Sequence, residues 1–84
     1  MYKLEIYVTF KRDVLDPQGK AILKAAEQLN IKNLVDIKQG KYFVVTIKSV
    51  NNIKNACSVG KILSEKLLCN EVIEDYKIVS SKKL

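Results

Sequence analysis

Val14-Leu15-Asp16-Pro17-Gln18-Gly19-Lys20 stands where the apolar residues of the chain change their period. Before it, Leu4, Ile6, Val8 and Phe10 alternate with Lys3, Glu5, Tyr7 and Thr9, the period of two that marks a half-buried strand over residues 2–10. After it, Ala21, Ile22, Ala25, Ala26 and Leu29 recur at helical spacing opposite Lys20, Lys24 and Glu27 until Asn30 supplies a stop, which sets a helix at 17–29. The turn carries the helix start: Asp16 can accept hydrogen bonds from free amides of the next turn, and Pro17 has its φ preset for the first helical position. Gly19 is left over. A glycine in a first turn costs about 1 kcal/mol relative to alanine, so either the position is weakly optimised or something approaches its backbone.

Further along, Leu34-Val35-Asp36-Ile37-Lys38 and Lys41-Tyr42-Phe43-Val44-Val45-Thr46-Ile47-Lys48 read as two strands joined around Gln39-Gly40. That pattern predicts a β-hairpin in which Gly40 takes a positive φ. Asn51 or Asn52 caps a second helix running through Leu68, whose apolar stripe is Ile53, Ala56, Cys57, Gly60, Leu63 and Leu67. Gly60 on that stripe predicts close packing of another backbone. A last strand, Glu74-Asp75-Tyr76-Lys77-Ile78-Val79, follows Asn70-Glu71-Val72-Ile73 and precedes a polar tail, residues 80–84, expected to fray. The order β-α-β-β-α-β over a single domain, residues 1–84, predicts a ferredoxin-like α+β fold, an antiparallel sheet with both helices on one face.

Two helices on one face leave the other sheet face open. Alternation places Tyr7, Leu34, Tyr42 and Val44 there, together with Thr9, Asp36, Lys38 and Thr46. An apolar patch of that extent is large for a monomer, so these four residues are the candidates for self-association.

Composition limits the chemistry. Fifteen basic residues against nine acidic ones give a net charge of +6, but Arg12 is the sole arginine and the lysines are scattered from Lys3 to Lys83. Base reading and bidentate phosphate contacts favour the arginine fork, so this excess describes a solvated surface or one that meets an acidic protein. There is no histidine, hence no imidazole base, and no phosphate-cradling or nucleophile-elbow spacing. No catalytic residue, cofactor-binding residue or metal ligand is expected on the chain. Cys57 and Cys69, about 18 Å apart if on one helix, are expected reduced and packed. No apolar run approaches the roughly 20 residues that span a bilayer, which sets an expectation of a cytoplasmic protein without a membrane partner.

RNA binding through the open face is the alternative, because RNA-recognition domains share this element order. Their third-strand motif matches here at Gly40, Phe43 and Val44 but fails at Gln39, Lys41, Tyr42 and Thr46, and alternation sends Phe43 to the core. Nucleic acid is therefore a disfavoured partner.

Three segments taken in order resemble one family. Val14 to Ala21 is similar to its first helix start, Gly40-Lys41-Tyr42 to its hairpin, and Lys66-Leu67-Leu68-Cys69-Asn70-Glu71-Val72-Ile73-Glu74-Asp75-Tyr76 to its closing segment. That family is PurS, the small subunit of phosphoribosylformylglycinamidine synthase. The closing motif of the family usually reads Leu-Leu-Ala-Asn-Pro-Val-Ile, whereas Cys69 and Glu71 stand here for the alanine and proline. The resemblance implies a non-catalytic subunit, a homodimer or homotetramer, that bridges a large synthetase subunit and a glutamine amidotransferase subunit. It also implies that ATP and Mg sit on the synthetase. The reaction so implied converts formylglycinamide ribonucleotide, ATP and glutamine to formylglycinamidine ribonucleotide, ADP, phosphate and glutamate in de novo purine synthesis. The two signature loops supply the candidate contacts with the larger subunits: Asp16, Gln18, Gly19 and Lys20 from the first, Asn70, Glu74 and Asp75 from the last.

Overall fold

The alternation of residues 2–10 builds the central strand of the sheet. In the computed structural model, which describes residues 1–84, β1 (Tyr2–Phe10) pairs antiparallel on one side with β2 (Gly40–Ile47) and on the other with β3 (Glu74–Lys83). The order is β2-β1-β3. Leu4, Ile6 and Val8 are fully buried and Tyr2 nearly so, while Tyr7 and Thr9 are exposed, as the period of two requires. Ile47, Ala56 and Cys69 complete the core, with Phe43, Val45, Tyr76 and Ile78 packed against it.

Two helices accompany the sheet, α1 (Pro17–Gln28) and α2 (Ile53–Leu63). Asn52 caps α2 by accepting the Asn55 N–H at 2.8 Å. The helix lies on β1 and β3. Gly60 is the point of closest approach: a methyl group there would run into Leu4 Cδ1 and stand 3.4 Å from Ile78 Cδ1, so the glycine has a packing role, but it makes room for side chains of the sheet and not for the expected second backbone. The helix then widens into a π-helical turn, Ser64–Leu68, closed by Cys69 N–H on the Ser64 carbonyl at 2.9 Å. That i to i+5 bond inserts a residue into the periodicity. It corrects the expected stripe: Leu67 is 75% exposed, and Leu68 and Cys69 face the core instead.

Four further expectations are corrected: the second strand, the hairpin at Gly40, the place of Leu34 and the frayed tail. Residues 34–39 form no strand. Their extended backbone is held by the start of α1, with Gln39 N–H given to Asp16 at 2.7 Å and the Ile37 carbonyl set over Gly19, so it does not reach a sheet edge. With no strand there is no hairpin, and Gly40 has no positive φ; it is the first residue of β2, opposite Thr9. Leu34 consequently lies off the sheet and does not join Tyr7, Tyr42 and Val44. The expected frayed tail is ordered: Ser80 to Lys83 continue β3 opposite Glu5 to Tyr2, and Leu84 N–H reaches the Met1 carbonyl at 2.8 Å. Pairing with the first residues of β1 outweighs the polarity of these side chains, since one face of an edge strand can stay wet. A bulge at Val79, between the Ile6–Ile78 and Glu5–Ser80 pairs, takes up one residue in β3.

α1 ends where Asn30 was expected to end it. Asn30 has φ 63°, its N–H reaches the Glu27 carbonyl at 3.1 Å and Ile31 N–H reaches Ala26 at 3.0 Å, a Schellman closure with asparagine in the left-handed position. Yet α1 makes no contact with the sheet comparable to that of α2. Of its apolar stripe only Ala26 is buried; Leu29 is 72% exposed and Val35, just beyond, 92%. The Cα radius of gyration is 16.3 Å, against about 12 Å for a closed domain of this length. The architecture remains a ferredoxin-like α+β fold, drawn out so that most of the apolar stripe of one helix, and Val35 in the segment after it, stay exposed.

Candidate functional site

The opening turn is held by one carboxylate. Asp16 Oδ1 accepts the Gly19 N–H at 2.9 Å, as a helix N-cap should, and Oδ2 accepts the Gln39 N–H at 2.7 Å from the residue before β2. These two backbone donors, Gln39 first and Gly19 second, hold the carboxyl below the usual aspartate range. Gly19 itself is buried, and a Cβ there would meet the Ile37 carbonyl oxygen. The close approach that the glycine permits is therefore made by the chain's own backbone. Gln18 and Lys20 are exposed on either side.

The closing segment is tied in a similar way. Asn70 accepts Ile73 N–H at 3.0 Å and Glu74 N–H at 2.7 Å on its carbonyl, and Val72 N–H at 3.2 Å on its side chain. Glu74 returns the bond, accepting Asn70 N–H on Oε1 at 2.8 Å. The turn is thus closed with Glu71 where the family has proline. Lys41 Nζ stands 3.8 Å from Glu74 Oε2. Cys69 Sγ donates to the Glu74 carbonyl at 3.4 Å, and burial, reinforced by the Glu74 charge, pushes its thiol upward. Asp75 is exposed and paired with Lys11 at 2.7 Å, a hydrogen bond that raises the lysine; an exposed pair of this kind adds little stability. No local pattern marks a pair separated by 64 residues.

The two signature loops meet. Gln18 from the opening turn, Gln39, Gly40 and Lys41 from the start of β2, and Asn70, Ile73 and Glu74 from the closing segment line one cleft of about 330 Å³ over Val8 and Phe10. The sequence pointed to Gln18, Asn70 and Glu74 separately; Gln39 joins them only because Asp16 draws its backbone across. The cleft offers one carboxylate, one ammonium and three carboxamides, with no nucleophile and no imidazole.

On the open face of the sheet, Tyr7 and Tyr42 are opposite one another with ring centroids 5.0 Å apart and planes at 72°, the edge-to-face arrangement that aromatic quadrupoles favour. Tyr42 Oη donates to Glu5 Oε2 at 2.8 Å, and that bond raises the phenol above its ordinary value. Val44 is directly opposite Glu5 and exposed. Tyr7, Tyr42 and Val44 therefore form one patch, without Leu34. A carboxylate within it opposes the passage of a phosphate backbone.

The sequence model of PurS, described as phosphoribosylformylglycinamidine (FGAM) synthase, matches residues 3–82. The PurS subunit of phosphoribosylformylglycinamidine synthase from Bacillus subtilis is 40% identical over 77 residues, 92% of this chain and 89% of that one. Among solved structures, B. subtilis PurS in a C2 crystal form superposes with a TM-score of 0.85 at 37% identity, covering 99% of this chain and 100% of that chain. A chain in the structure of PurLQS from Thermotoga maritima superposes with a TM-score of 0.83 at 25% identity, covering 99% of this chain and 96% of that one. No helix here is long and apolar enough to cross a membrane. Matched by the family model over residues 3–82 and 40% identical to one PurS subunit over 92% of its length, the chain belongs to the PurS family of phosphoribosylformylglycinamidine synthase subunits.

Proposed function

We propose that this chain acts as the non-catalytic bridge between a synthetase subunit and a glutaminase subunit of phosphoribosylformylglycinamidine synthase, holding them in the geometry that passes ammonia from glutamine to formylglycinamide ribonucleotide. The supporting observation is the uncovered apolar surface of α1 and the segment after it, in a chain with 13 of 84 residues buried: so thin a core suits a protein that folds against partners. The docking surface toward the larger subunits is formed by the exposed Gln18, Lys20, Asn70 and Asp75, with Asp16, Gly19 and Glu74 holding the two loops beneath them. Self-association uses the Tyr7, Tyr42 and Val44 patch. ATP and Mg belong to the synthetase, and the assembly works in the cytoplasm. The association of PurS with PurL and PurQ in the T. maritima assembly supports the same reading here.

Reconstitution tests it. Glutamine-dependent formation of formylglycinamidine ribonucleotide is expected only when this chain is added to the two larger subunits, with no activity from the chain alone. Equal activity without it overturns the bridge. For self-association, Tyr42→Lys is expected to lower the sedimentation coefficient, and unchanged sedimentation removes the open face as an interface.

A further inference from the structure

Lysines that are scattered in the sequence come to flank the outer edge of β3 in the fold. Lys54 and Lys61 from α2 and Lys77 from β3 line a groove of about 460 Å³ floored by Tyr76 and Ile78. No aspartate or glutamate lines it. The ion pairs of the molecule are Lys3–Glu5, Lys11–Asp75 and Lys41–Glu74, so none of these three lysines has an anionic partner; Lys54 and Lys61 stand on the α2 side of the groove, while alternation sends the Lys77 side chain to the open face with Tyr7, its register partner. Glu65 is occupied by the Tyr76 hydroxyl at 3.3 Å. Beside the groove runs the free edge of β3: the order β2-β1-β3 leaves its ten residues paired on one side only.

We propose that this groove and the β3 edge beside it are the docking site for an extended acidic segment of one of the larger subunits, which adds a strand to the edge of β3 and sets carboxylates on one of its faces against Lys54 and Lys61 and on the other against Lys77. Main-chain pairing on an open edge supplies affinity, and alternate side chains supply choice of partner. Unpaired cations on both sides of the edge, two on α2 and one on the open face, select carboxylates alternating along a strand. Lysine without arginine disfavours a nucleic-acid occupant. Such a site speeds encounter and loses strength with salt. The proposal rests on the bridging role and names a surface distinct from the Gln18–Asn70 cleft.

Carbodiimide cross-linking of the reconstituted complex, read by mass spectrometry, is expected to join Lys54, Lys61 or Lys77 to acidic residues of one larger subunit. Reversal at all three (K54E/K61E/K77E) is expected to weaken assembly by about tenfold or more at roughly 0.15 M salt, a difference that shrinks near 1 M. Neutralisation (K54Q/K61Q/K77Q) gives a smaller loss in the same direction, and circular dichroism of both variants checks the fold. Reversal of Lys24, Lys48 and Lys66, exposed lysines that line neither this groove nor the Gln18–Asn70 cleft, changes net charge equally and serves as the control. Equal weakening by the control overturns the proposal, as does assembly of either groove variant with wild-type affinity, or cross-links that form elsewhere but not here. Loss of binding to a single-stranded oligonucleotide with subunit assembly unchanged also overturns it, in favour of nucleic acid. If the wild-type chain fails to join the larger subunits at all, the bridging role falls instead.

Discussion

Asp16 and Gln39, 23 positions apart, are joined by a carboxylate-to-backbone hydrogen bond of 2.7 Å, and that bond ties the start of α1 to the start of β2. It converts a helix cap into a long-range clamp. Because the folded pKa of Asp16 is lowered by Gln39 and Gly19, the clamp contributes its full stability above the unfolded value of about 4 and loses it as pH falls through the lower folded value. Asp16→Asn keeps one acceptor and removes the charge. The variant is expected to melt at a lower temperature at neutral pH, with the gap from wild type narrowing below about pH 4. A gap that does not depend on pH is inconsistent with an ionised clamp.

Gly19 and Gly60 respond differently to the same change. At Gly19 the obstacle to a methyl group is the Ile37 carbonyl, backbone that cannot swing aside; at Gly60 it is the flexible end of Leu4. Gly19→Ala is expected to destabilise by about 1–3 kcal/mol through overpacking. At Gly60 the helix propensity of alanine, about 1 kcal/mol, offsets much of a smaller strain. Chemical denaturation of the two variants gives the comparison; equal losses would mean that the Ile37 segment moves freely over α1.

What was legible in the sequence follows from how local its causes are. The alternation of β1, the Asp16 and Asn52 caps and the Asn30 stop depend on neighbouring residues, and each is found where the pattern placed it. The strand expected at Leu34 to Lys38 fails for a non-local reason: its backbone partners are Asp16 and Gly19, and nothing in Leu-Val-Asp-Ile-Lys distinguishes an extended segment on a helix start from one on a sheet edge. The expected stripe through Leu67 fails because a π turn leaves no mark in a run of helix formers. Of the candidate site, Tyr7, Tyr42 and Val44 were legible from parity alone. The meeting of Gln18 with Asn70 and Glu74 was not, since it needs the path of residues 31–39.

Ser64 is fully buried, and its hydroxyl has no hydrogen-bond partner. An unpaired buried hydroxyl costs about 1–3 kcal/mol, and its backbone carbonyl, which closes the π turn, does not require a side-chain oxygen. Ser64→Ala is therefore expected to leave stability unchanged or raise it by about 1 kcal/mol. A clear loss in thermal unfolding of the isolated chain means that the hydroxyl is paired within the chain and overturns this expectation.

Tyr42 reports on the open face through its ionisation. The hydrogen bond it donates to Glu5 is the main cause that raises its pKa above the ordinary tyrosine value, followed by burial and the Glu5 charge. A raised tyrosine contributes stability while the phenol is protonated, fully below the unfolded value of about 10, and loses it as pH rises through the folded value. Tyr76 is raised as well, chiefly by burial. Phenolate absorbance of the wild-type chain is expected to include late-titrating groups at both positions. Glu5→Gln moves one of them toward about 10 and leaves the other in place, while Tyr42→Phe removes one. If the patch is a self-association surface, desolvation by the second copy raises Tyr42 further, so its titration is expected to fall back toward the ordinary value on dilution. Titration that is independent of protein concentration across the range where sedimentation detects dissociation places Tyr42 outside the interface.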